Sequence, residues 1–201
     1  MHRSHLACIA LLCIVCPSLR AANVDVQVRD TSGKPLNDAV VFLESAAAKA
    51  AAKPVAGTEV AQAARQFVPS VTVVSTGSSL LFPNRDSVRH HVYSFSPAKS
   101  FELKLYTGTP ANPVLFDKPG VVVLGCNIHD HMAAWVLVVD TPYFGKTSAD
   151  GVVKLSNIPP GSYRLRAWHA GLPVGAVPQD QALVLTPSDA AAAVVLKGVT
   201  P

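Results

Sequence analysis

The sequence predicts an all-β protein. Three observations carry that expectation. Valine-rich runs alternate apolar and polar residues with period two, 16 prolines and 12 glycines cut the 201 residues into short segments, and no stretch presents a long amphipathic helical face. With 49% apolar and 15% charged residues, the chain is too apolar for a disordered protein and too long for a disulfide-stapled miniature.

The N-terminus reads as an export leader over residues 1–21. His2, Arg3 and His5 precede an unbroken apolar run from Leu6 to Cys16, followed by small and polar residues up to Ala21 and Ala22. The run is about half of the roughly twenty residues a membrane-spanning helix needs, so the expected mature protein has no membrane span and a periplasmic location. Lipid attachment at Cys16 is disfavoured by Val15, where a small residue is wanted. Cleavage would remove Cys8, Cys13 and Cys16 and leave Cys126 alone, so the even cysteine count does not imply disulfides. Losing Arg3 and Arg20 lowers the net charge from +4 to about +2, and nothing argues for nucleic-acid binding.

After the leader, VDVQVRDTSGKPLNDAVVFLE (residues 24–44) reads as two strands around a Thr31-Ser32-Gly33-Lys34-Pro35 turn, expected as a hairpin. An alanine-rich stretch over 46–64 reads as a linker, with room for a short helix before Pro54. From 65 to 140 the strand signals FVPSVTVV, SSLLFPN, HHVYSF, FELKLY, GVVVLGC and AAWVLVVD follow one another at the spacing of a sandwich or barrel. Residues 141–201 return to short strands bracketed by Ala149-Asp150-Gly151 and Pro159-Pro160-Gly161 turns, and two valine-leucine strands close the chain.

The first and last regions resemble the two halves of the carboxypeptidase-regulatory-like (transthyretin-like) β-sandwich. Asp30, Gly33, Pro35, Leu36 and Ala39 match its first motif, and Thr147, Asp150, Gly151, Ile158, Pro160, Gly161 and Tyr163 its second. The resemblance implies a small Ig-like sandwich with the domain of residues 65–140 inserted into it or adjoining it. Insertion at an exposed loop is tolerated when the inserted termini lie close together.

The residues that carry chemistry are Cys126, His129 and Met132, a C-x2-H-x2-M loop between the strands ending at Leu124 and starting at Ala133. A thiolate, an imidazole and a thioether are three of the four ligands of a blue-copper site, whose His2Cys plane carries a weak axial Met. The fourth has a source upstream in FPNRDSVRHHV, where His90 or His91 ends a polar loop. Adjacent strand residues face opposite sides, so only one of the two can point at a metal. The count from Asn84 and an inward Val92 favour His90, while His91 would turn Tyr93 and Phe95 inward.

With Phe82, Asn84 and His90 in an F-x-N-x5-H pattern ahead of that loop, residues 66–140 resemble a cupredoxin of the plastocyanin and amicyanin type. The runs NRDSVRHHVYSFSPAK and VVVLGCNIHDHM are similar to bacterial periplasmic methylamine-utilisation-like proteins. The resemblance implies a Greek-key sandwich holding one copper ion, Cu(I) or Cu(II), through His90, Cys126, His129 and Met132. It also implies a one-electron carrier rather than an enzyme, monomeric, serving redox protein partners such as a cytochrome or dehydrogenase. His129 would be the partly exposed ligand, with Ile128, Ala133 and Ala134 as a docking patch.

Asn84 is expected to tie the two ligand loops together. Trp135, Phe82 and Phe101 are expected in the sandwich core, and Trp168-His169 as a packed aromatic beside an exposed histidine. Asp130 and His131 read as solvated loop residues or as an extra contact to the metal. Zinc would want four strong ligands, which His131 or Asp130 could complete. A thiol nucleophile lacks a separate base, and haem attachment fails for want of C-x-x-C-H. A copper-handling module that stores, senses or delivers the ion without shuttling electrons stays open as the second reading.

Overall fold

The computed structural model describes residues 20–200, so the leader expected over 1–21, with Cys8, Cys13 and Cys16, lies outside the described residues save for Arg20 and Ala21. The described chain is all-β apart from one short helix, and its sheets form two sandwiches.

The first sandwich uses both ends of the chain. Strands β1 (Ala22–Asp30) and β2 (Val40–Glu44) come from the N-terminal part, followed by helix α1 (Ala46–Ala51). The remaining strands of this sandwich arrive a hundred residues later in the chain. In β1 the period-two pattern buries Val24, Val26 and Val28 on one face. Across the core they meet Val41 and Leu43 of β2. The expected β1–β2 hairpin therefore does not form: the two strands lie in different sheets and face each other. The cause is burial, because β2 is apolar on both faces and takes an interior position, with partners on either side.

The middle segment comprises β3 (Thr58–Glu59), β4 (Ala61–Ala63), β5 (Gln66–Val68), β6 (Val71–Ser75), β7 (Ser78–Leu81), β8 (His90–Ser96), β9 (Lys99–Tyr106), β10 (Val114–Phe116), β11 (Gly120–Gly125) and β12 (Ala133–Val139). Five strands pair in the order β6-β12-β11-β8-β9, and three in the order β10-β7-β3. Strand β11 returns beside β8 only after the chain has passed through β10 of the other sheet, a Greek-key connection. Both sheets contribute to one core that includes Val74, Leu80, Phe82, Val92, Phe116, Val122, Leu124 and Val136.

The chain then adds β13 (Phe144–Lys146), β14 (Val152–Ile158), β15 (Gly161–Trp168), β16 (Gln179–Leu185) and β17 (Ala190–Leu196). These join the N-terminal strands in the sheets β14-β1-β17 and β13-β2-β15-β16. The buried Thr147 hydroxyl stitches the two chain ends together, accepting from the Ala39 N–H at 2.9 Å and donating to the Leu36 carbonyl at 2.6 Å.

Two expectations about the joints need correction. Residues 58–63, expected within the linker, form β3 and β4, and Val60, Ala61 and Gln62 are buried against the middle sandwich. Only the stretch up to Gly57 is connection, and Ser45 caps its helix by accepting from the Ala48 N–H. Trp135, expected in the middle core, instead lies in a third cluster between the sandwiches. There Val40 and Phe42 of β2 meet Leu137, Val139, Trp168 and Leu172, and the Trp135 and Trp168 rings stand 6.2 Å apart. Because β2 has two apolar faces, one strand serves both its own core and this seam.

Candidate metal centre

The site forms where β8 begins and where β11 gives way to β12. Strand β11 alternates so that Val122, Leu124 and Cys126 point into the core, and the chain turns before β12 resumes at Ala133. The turn is tight, closed by the Met132 N–H donating to the His129 carbonyl at 2.9 Å. Strand β8 brings in His90, which is fully buried.

His90, Cys126 and His129 come together: one ligand-capable atom from each lies within 4.8 Å of the others. Cys126 Sγ stands 3.9 Å from His90 Nδ1. A metal bonded to nitrogen and sulfur at ordinary lengths in a trigonal plane separates those atoms by about 3.8 Å, so the observed spacing fits an ion between them. His129 supplies the second sign of fit, since its Nδ1 is buried with no hydrogen-bond partner, a costly state unless something else occupies it. Its ring centre is 5.1 Å from that of His90. Met132 is buried in the same core cluster as Cys126.

His91 is not part of this group. It points to the other face of β8, where its Nε2 lies 3.0 Å from Glu102 Oε1 and its ring packs on Tyr93. Asp130 and His131 are exposed, and the His131 ring packs edge-on to that of His129 at 5.9 Å. Burial holds the His129 imidazole below its ordinary pKa, and the neighbouring His90, Arg65 and His131 push the same way. A neutral ring with a bare nitrogen is the form that binds a metal.

Other expected roles shift. Asn84 does not bridge the two ligand loops. It donates to the carbonyls of Val88 and Tyr106, both at 2.8 Å, and accepts from the Asp86 N–H at 3.0 Å, so it orders the loop that carries His90. Of the expected docking patch, Ile128 is 48% exposed and Ala133 is exposed, but Ala134 is buried because the strand alternation of β12 turns it into the core. His169 is half-buried rather than exposed, with Nε2 3.1 Å from the Asn37 carbonyl. Phe82 and Phe101 pack together in the middle core with ring centres 5.5 Å apart.

Two residues near the site had no assigned role in the sequence reading. Asp86 Oδ2 lies 2.8 Å from His90 Nε2, the ring nitrogen opposite the one that faces Cys126. The Arg65 N–H, more than any other group, holds the Asp86 carboxyl below its usual pKa; burial opposes this, and His90 and Ala64 add to it. Tyr106 donates to the Phe82 carbonyl at 2.6 Å and accepts from Gln62, and burial pushes its phenol up to about 12. Asp86 could have been noticed as the one carboxylate in the FPNRDSVRH loop.

No family model and no curated protein matches this chain. Solved structures do. A purple cupredoxin from Nitrosopumilus maritimus is 19% identical, covering 41% of this chain and 100% of its own, with a TM-score of 0.37. A mutant amicyanin in its reduced Cu(I) form is also 19% identical, covering 49% of this chain and 98% of its own, with a TM-score of 0.38. A copper-containing nitrite reductase from Thermus scotoductus SA-01 is 20% identical over 57% of this chain and 28% of its own, with a TM-score of 0.39. Among the described residues, no helix is long and apolar enough to cross a membrane.

Proposed function

We propose that this protein is a one-electron carrier whose middle sandwich would hold a single copper ion through His90, Cys126 and His129, with the Met132 thioether as a weaker fourth contact. The convergence of a buried thiol and two imidazoles, one with an orphaned buried nitrogen, is the observation that carries the reading. When bound, copper supplies a reversible change between Cu(II) and Cu(I). Everything else is the work of the chain. Strands β8 and β11, paired within one sheet, hold His90 and Cys126 at a set separation, so the ligand geometry need not rearrange when the charge changes. The surrounding core of Val92, Phe116, Leu124 and Val136 excludes water from the thiolate. His129 is half-exposed beside Ile128, which gives electrons a short path between the buried thiolate and a docked partner.

In this reading the four side chains would leave a bound copper no place for a substrate, and the protein would carry electrons rather than turn over a substrate. It works in the periplasm after export, as a monomer, with redox proteins such as a cytochrome or dehydrogenase as partners. Residues 24–45 and 141–201 form a carboxypeptidase-regulatory-like sandwich around the copper domain.

The test is electrochemical. Voltammetry of the copper-loaded mature protein is expected to give one reversible one-electron wave whose oxidised form regenerates without loss of metal. A protein that binds copper but releases it on reduction, or gives no reversible wave, would be a copper store or carrier instead, and the electron-transfer reading would fall.

A further inference from the structure

The two-residue connection between β4 and β5 is unusual for what it is made of. Ala64 and Arg65 both take left-handed backbone conformations, with φ of 51° and 57°. That is the pattern of a type I′ hairpin turn, which favours Asn-Gly because side chains with a Cβ are strained there. The turn presents its two backbone N–H groups to one carboxylate: Ala64 donates to Asp86 Oδ1 at 2.7 Å and Arg65 to Asp86 Oδ2 at 2.9 Å. The Asp86 backbone is held in turn by Asn84. The carboxylate so fixed meets His90 Nε2 at 2.8 Å, and Nδ1 of the same ring faces Cys126.

We propose that Asp86, locked by the Ala64-Arg65 turn, is the positioning residue of the metal centre. It fixes the His90 ring as the tautomer protonated at Nε2 and keeps Nδ1 bare toward the metal. An ionised carboxylate only accepts, so the nitrogen it touches must carry the proton. A carboxylate behind a ligating imidazole also strengthens the donation of that ring, which favours the higher charge on the metal. This role rests on the copper reading above, but its first consequence exists without metal.

Nitrogen-15 NMR of the apo protein is therefore the first measurement. Wild-type His90 is expected as the Nε2–H tautomer, and an Nδ1–H ring would overturn the proposal with no variant needed. In Asp86→Ala the tautomers are expected to mix. Copper titrations should then show Cu(II) affinity reduced by about 10- to 100-fold with Cu(I) affinity reduced less; a tenfold difference between the two raises the reduction potential by about 59 mV. Asp86→Asn, which keeps the size but opposes an amide N–H to those of the turn, should shift both readouts in the same direction. Ala64→Gly keeps every donor and should shift neither. Unchanged tautomer and potential in Asp86→Ala would reduce the contact to loop packing. If wild type bound no copper, the copper reading would fail while the apo tautomer still decided the role of Asp86.

Discussion

Asn84→Asp exchanges only an amide NH2 for an oxygen, and the geometry says it should do at least as much damage as removing the side chain altogether. The buried Asn84 amide makes three hydrogen bonds, two as donor to the Val88 and Tyr106 carbonyls and one as acceptor from the Asp86 N–H. At about 0.5–1.5 kcal/mol net for each bond, Asn84→Ala should cost roughly 1.5–4.5 kcal/mol. Asn84→Asp keeps the acceptor but sets a carboxylate oxygen against the Val88 and Tyr106 carbonyls. Both are left unsatisfied and the charge is repelled, so the loss should equal or exceed that of alanine. Urea unfolding at pH 7 measures it: with a slope of about 2 kcal/mol per molar, both midpoints should fall by about 0.75 M or more with unchanged slope. On acidification the new carboxyl regains a proton to donate, so the Asp deficit should narrow while the Ala deficit does not. An Asn84→Asp protein within about 0.5 kcal/mol of wild type at pH 7 would show that these donor bonds do not hold the loop.

Further outcomes follow from other contacts. Gly151 has φ +78°, and a Cβ there would lie 2.6 Å from the Val28 carbonyl oxygen, whereas one at Gly33 (φ +87°) meets nothing within 4 Å. Gly33→Ala should therefore cost only the backbone strain of about 1–2 kcal/mol and Gly151→Ala a further 1–3 kcal/mol, read by the same unfolding curves. A Cβ on Gly125 would sit 2.7 Å from the Tyr93 ring, so Gly125→Ala should destabilise the strand before Cys126 and Tyr93→Ala should relieve it, giving a favourable coupling in a double-mutant cycle. Several carboxylates are held below their ordinary pKa: Asp30 first by the Ser32 hydroxyl, Asp150 first by the Ser148 hydroxyl, and Asp189 first by the Asn23 N–H. At Asp140 burial pushes upward, but Lys49 and Thr76 outweigh it. Depressed folded values mean that this stability is present above the unfolded pKa of about 3.9 and is lost as pH falls below it. Thermal midpoints should drop steeply below pH 4, beyond the decline that the depressed His129 and His169 cause as pH falls through their unfolded pKa of about 6.5; a profile that stays level from pH 4 down to pH 2 would contradict the linkage.

The grouping of His90, Cys126 and His129 was legible in the sequence because each sits at a strand end or on the turn that follows one. Cys126, His129 and Met132 fall on one turn between two strands, and strand alternation alone separates His90 from His91. What was not legible depends on distant partners. The Ala64-Arg65 turn carries no turn signal, since its left-handed backbone is held by a carboxylate 22 and 21 residues away. Strands β3, β4 and β10 are two or three residues long and show no periodicity, so residues 58–63 read as linker and 114–116 carry no strand signal. Trp135 looks like any core aromatic until β2 supplies a second apolar face for it to pack near, and Asn84 bonds carbonyls that only the folded loop brings to it.

The central claim is that Cys126 binds copper as a thiolate beside His90 and His129. Visible absorption on adding one equivalent of Cu(II) to the apo protein, compared with Cys126→Ser, tests it most directly. The account predicts an intense blue or green sulfur-to-copper band that saturates at one ion per chain, disappears reversibly on reduction and is absent from Cys126→Ser. A colourless complex, or a band that survives in Cys126→Ser, would contradict it.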